Sequence, residues 1–83
     1  MEFAQRLRLL LLEGAFADPE VSLESTRSGR VGGFLVSDDF AAIPQVDRQA
    51  LLWGFLESRL DKGELGQIVS ILTLTRAELR EAS

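Results

Sequence analysis

The sequence predicts a small α+β domain: one α-β-β-α-α-β unit, with a three-stranded mixed sheet and its helices on one face. Three observations carry that prediction. Phe3, Ala4, Leu7, Leu10 and Leu11 recur at helical spacing near the N-terminus. Two apolar runs, Val31–Ser37 and Ile68–Thr75, read as strands. Between them lies a helical run, Val46–Leu60, and a crossover of that length places the flanking strands parallel. The 83 residues make one domain, 1–83, with no internal repeat, linker or low-complexity segment. A chain this short buries roughly 60–65% of its extended surface, so its core is thin.

The first helix is expected from Met1 to about Ala15. Gly14 can end it, and Asp18-Pro19 makes a turn. Leu9 and Leu12 project away from the buried stripe. Val21–Arg27 alternates Val21 and Leu23 with Ser22, Glu24 and Thr26, the pattern of a strand with one wet face. Ser28-Gly29 signals a hairpin, where Gly29 supplies positive φ without steric cost. In the next strand Gly32-Gly33 points to a bulge or a close backbone approach. Phe34, Leu35 and Val36 are apolar on both faces, as a central strand requires.

Ser37 or Asp38 caps a short helix expected at Asp39–Ile43, which Pro44 ends. Pro44 can also open the following helix at its first position. In that helix Val46, Gln49, Leu52, Trp53, Leu56 and Leu60 share a face, while Leu51 and Phe55 lie opposite, one turn apart. Gly63 is the expected C′ residue. In the last strand Ile68, Leu72 and Leu74 are expected on one face, Val69 and Ile71 on the other. Arg76–Ser83 is polar and compatible with one or two helical turns.

Composition narrows the chemistry. There is no cysteine and no histidine, so disulfides, thiol catalysis, thiolate sites and the commonest metal ligand are excluded on this chain. Asp38 and Asp39 are neighbours at a helix start, where capping explains both. No constellation suggests an enzyme. The net charge of −4 and the scattered nine Lys and Arg disfavour nucleic acid. Gly29-Arg30-Val31-Gly32 fits a GxxG pattern but falls in a hairpin, where a turn explains it. The apolar run Leu7–Leu12 contains Arg8 and precedes Glu13, unlike a signal peptide. Nothing approaches the eighteen or so apolar residues of a membrane span. The expected setting is cytoplasmic, without membrane association.

Several motifs follow one another in a familiar order. Val36-Ser37-Asp38-Asp39-Phe40 follows the second strand, Val46-Asp47-Arg48-Gln49 opens the long helix, and Trp53-Gly54 lies further along it. Ser70-Ile71-Leu72-Thr73-Leu74-Thr75-Arg76-Ala77-Glu78-Leu79 closes the chain. This order resembles the BolA-like family, in its short-hairpin subgroup, and through it the type II KH arrangement. The resemblance covers nearly the whole chain. It implies a regulatory, stress-response role and a monothiol glutaredoxin as partner, sharing a [2Fe–2S] cluster.

The family's ligand histidine falls by spacing on Gln67 here. The hairpin that would hold a second ligand offers Arg27, Ser28, Gly29 and Arg30. A glutamine amide is a poor ligand for such a cluster, so no cofactor and no metal are expected. What the resemblance leaves is a non-enzymatic protein-interaction module. Its partner would be a monothiol glutaredoxin, another protein or a second copy, bound through Arg48, Gln49, Leu51, Phe55 and Gln67, along the helix face and the third-strand edge. The structural alternatives are a solvated Arg48, a Gln49 bonded locally at the core's edge, and leucines exposed singly. Burying Leu9, Leu12, Leu51 and Phe55 is worth roughly 6–12 kcal/mol gross, against an association cost of roughly 4–15 kcal/mol. Two readings stand beside this one: a KH-like nucleic-acid-binding regulator, and an iron–sulfur trafficking partner of glutaredoxin.

Overall fold

The computed structural model describes residues 2–14 and 16–82. Met1 and Ala15, the expected ends of the first helix, and Ser83, the expected end of the last segment, lie outside the described residues. The elements are α1 (Phe3–Leu12), β1 (Glu20–Ser25), β2 (Val31–Val36), a 3-10 turn (Asp38–Phe40), α2 (Gln45–Glu57), α3 (Lys62–Leu65), β3 (Ile68–Leu74) and α4 (Arg76–Ala82). The α+β class and the α-β-β-α-α-β order are as the sequence predicts, with α4 as the closing turn.

Of the two crossover helices, the long one is α2, as expected, and the short one expected at Asp39–Ile43 is not formed as an α-helix. Asp38–Phe40 is a single 3-10 turn, capped by the Ser37 hydroxyl, which accepts from the Asp39 N–H at 3.2 Å. The second helix of the crossover is instead α3. Asp61 caps α3 by accepting from the Glu64 N–H at 2.8 Å, while Glu64 accepts from the Asp61 N–H at 3.1 Å. Gly63 therefore lies inside α3 rather than beyond a helix end. Pro44 is the N-cap of α2, one position earlier than expected.

The sheet order is β1-β2-β3, antiparallel between β1 and β2 and parallel between β2 and β3. At the hairpin, the Thr26 N–H donates to the Arg30 carbonyl at 2.7 Å and Gly29 takes φ 83°. β3 carries a bulge: Val31 pairs with Ile68 but Gly32 pairs with Ser70. The extra residue, Val69, shifts the alternation, so Ile68 and Ile71 both reach the core. This corrects the expectation that Ile68 shares a face with Leu72 and Leu74.

The core lies between the sheet and α1 and α2. Leu7 and Leu11 of α1 and Leu52 and Leu56 of α2 meet Val31, Leu35, Ile68 and Ile71, with Phe40 closing one end. Val46, expected on the buried stripe, is 75% exposed. It lies in the first turn of α2, where Gln45 rather than Val46 faces β3.

Candidate interaction surface

The polar row of α2 faces the free edge of β3. Along this edge the Leu74 carbonyl points inward, accepting from the Ser37 N–H of the β2 exit at 2.9 Å. The alternate carbonyls, Ile71 and Thr73, point outward. Gln49 Nε2 donates to the Ile71 carbonyl at 2.9 Å and to Thr73 Oγ1 at 3.1 Å. Gln45 Nε2 and Arg48 Nη1 both donate to the Thr73 carbonyl, at 2.8 and 3.1 Å. Thr73 Oγ1 donates back to Gln45 Oε1 at 2.8 Å. The Ile71 and Thr73 carbonyls of this edge are thus occupied by side chains, which blunts the edge over that stretch.

Arg48 is buried rather than solvated or presented to a partner, at 6% exposure. Its Nε donates to the Ile43 carbonyl at 2.7 Å, and its guanidinium lies 5.8 Å from the Phe40 ring centroid. The remaining fork is bidentate on Glu78 of α4, at 2.6 and 3.2 Å. Glu78 also closes a capping box with Thr75: its carboxylate accepts from the Thr75 N–H at 2.8 Å, and Thr75 Oγ1 accepts from the Glu78 N–H at 3.2 Å. The Arg48 hydrogen bond first, and then the Thr75 amide, bring the Glu78 carboxyl down to about 2. Gln49 bonds locally, with its Oε1 accepting from Trp53 Nε1 at 3.2 Å.

Leu51 and Phe55 face the other way. Leu51 is 52% exposed. Phe55 is half-buried against the segment after α1: its ring is edge-on to Phe16 at 6.2 Å, and its Cζ would lie 2.6 Å from a Cβ placed on Gly14. Phe16 in turn stacks at a tilt on Phe40, 5.2 Å between centroids. Together with Ile43 and Asp39 these residues line a groove of about 240 Å³. Asp39 Oδ2 accepts from the Ala17 N–H at 2.8 Å, which fixes the mouth of the groove. Of the five residues proposed from sequence, Leu51 and Phe55 come together here, Arg48 and Gln49 are turned to β3, and Gln67 lies apart.

Gln67 is exposed at the entry to β3, where its carbonyl accepts from the Val31 N–H at 2.8 Å. That bond sets it beside the root of the hairpin. The hairpin itself supplies Arg27, Ser28 and Arg30, two cations and a hydroxyl, which do not fit a [2Fe–2S] cluster. No group of three or more His, Cys, Asp or Glu among the described residues could hold a metal ion. No helix among them is long and apolar enough to cross a membrane.

A scan of protein-family models, a search of curated proteins and a search of solved structures each returned no match. What sequence reading missed is Gln45, Glu78 and the two caps. The caps had a signal, Asp61-x-x-Glu64 and Thr75-x-x-Glu78. Gln45 had none, because its role depends on where β3 lies.

Proposed function

We propose that this chain is a BolA-like, non-enzymatic protein-interaction and regulatory module that binds its partner without ligating an iron–sulfur cluster. The observation that carries the reading is the groove of Leu51, Phe55 and Ile43. It exposes apolar side chains on a helix whose polar row is already spent on β3. The motif order and the α-β-β-α-α-β arrangement support the family assignment, and a cytoplasmic setting belongs to the same reading. The chemistry around Gln67 supports docking without cluster sharing.

Anaerobic reconstitution with a monothiol glutaredoxin, iron and sulfide, followed by size-exclusion chromatography with a visible spectrum, tests it. The expected result is a colourless complex that Leu51→Asp abolishes while the circular dichroism spectrum is unchanged. A coloured heterodimer would transfer the assignment to iron–sulfur trafficking. Without a glutaredoxin complex, sedimentation must show self-association that Leu51→Asp removes; a monomer throughout sinks the reading. Leu51→Asp is expected to shift stability by no more than about 0.5 kcal/mol, as for an exposed site.

A further inference from the structure

α1 and α2 cover one face of the sheet; the other is closed at the Val36 end, where Val36 is fully buried, and is patterned by column from Phe34 to Gly32. Cα register sets Phe34 between Ser22 and Leu72, and Gly32 between Glu24 and Ser70. Residues paired directly project to the same side. The bulge adds Val69, whose Cβ is 3.8 Å from the position of a Gly32 Cβ. β2 therefore forms an apolar floor, dipping at Gly32. β3 forms a wall of Val69 and Leu72, which are 55% and 59% exposed. β1 forms an acidic rail of Glu20 and Glu24.

We propose that this face docks an amphipathic helix of a partner protein, its apolar side on Phe34, Val69 and Leu72 and a row of Lys or Arg along Glu20 and Glu24. Size argues for a single helix. Strands about 4.8 Å apart, open over Val31–Leu35 and closed at Val36, make a face about 10 Å by 17 Å between outer strand axes. A helix with its side chains is about 10–12 Å wide, and about 13 residues of it, about 20 Å, cover that length. Symmetry argues against a second copy. A two-fold axis along the strands lays each acidic rail on the other copy's Val69 and Leu72, burying carboxylates without partners. An axis across the strands lays rail on rail, like charge on like. This surface lies on the opposite side of the sheet from Leu51 and Phe55 and does not depend on the groove's role.

The test is titration of the full chain with a synthetic helical peptide of about 13 residues. One peptide has a leucine face flanked on one side by lysines; a second has glutamates in their place. Backbone amide shifts locate the contact. The expected outcome is saturable binding of the lysine peptide, with shifts at Phe34, Val69 and Leu72, and affinity for the glutamate peptide roughly tenfold weaker or more. Glu20→Lys with Glu24→Lys should reverse that preference, and these exposed positions keep the test valid should Leu72→Asp fail to fold. Equal binding of both peptides, shifts at Leu51 and Phe55 instead, no binding, or a dimer that Leu72→Asp dissolves would each overturn the proposal.

Discussion

Gly33 and Gly32 are neighbours in β2 with opposite tolerances. A Cβ on Gly33 would lie 1.9 Å from the Ser22 carbonyl oxygen and 2.9 Å from Leu23 Cα, both backbone atoms of β1. Strand pairing cannot yield there without opening the ladder. A Cβ on Gly32 meets nothing nearer than the Ser70 carbonyl, at 3.4 Å. Gly33→Ala is therefore expected to lower stability by about 1–3 kcal/mol or more, as overpacking does, and Gly32→Ala to move it by less than about 1 kcal/mol. Urea denaturation midpoints of the two variants check this, and equal losses would overturn the contact argument, since the lost freedom of the unfolded chain favours alanine at both positions. The close approach was legible in the sequence as a Gly-Gly pair within a strand, but which glycine made it was not. That depends on the backbone at Gly33, whose φ of 159° aims a Cβ at the paired strand. The same limit explains Arg48. Nothing in Val46-Asp47-Arg48-Gln49 says that the guanidinium turns inward, because its acceptors at Ile43, Thr73 and Glu78 come from three separate segments.

At the scale of elements, α4 is held by charge rather than by length. It has seven residues, too few to be helical alone, and Glu78 joins its first turn to Arg48 and to its own cap at Thr75. The Glu78 carboxyl is lowered from 4.5 to about 2. A carboxyl depressed in the folded state stabilises fully above its unfolded value. That contribution fades as pH falls from about 4.5 through about 2. Glu78→Gln should consequently lower the melting temperature at neutral pH, with the gap to the parent narrowing across that window and closing below it. A gap that stays constant with pH would mean that the carboxylate's charge adds nothing to the anchor. The strands, α1 and α2 were legible because periodicity belongs to the element itself. α3 was not: four residues carry no period, and only its capping pattern marked it.

For the whole molecule, the remaining question is whether this scaffold can bind nucleic acid. Affinity for a phosphate backbone grows with the cations that neutralise it, and the chain carries a net charge of −4. Its GxxG-like residues are split between the hairpin turn, at Gly29, and β2, at Gly32. The connection from α2 to α3, where a KH-type loop would join two helices, reads Ser58-Arg59-Leu60-Asp61 and has no glycine. Arg59 itself lies over the Phe55 ring, 5.3 Å from its centroid. On the hairpin Arg27 and Arg30 are exposed, and the nearby sheet face carries Glu20 and Glu24. Two arginines neutralise about two phosphates, and a single strand loses affinity with a slope of about −0.7 per phosphate on logarithmic axes of affinity and salt. Fluorescence anisotropy with single-stranded DNA and RNA should therefore show no saturable binding at physiological salt, and at low salt a slope no steeper than about −1.4. A slope near −3 would require about four phosphate contacts. It would bring back the KH-like reading, with a basic surface assembled from arginines that this fold keeps apart.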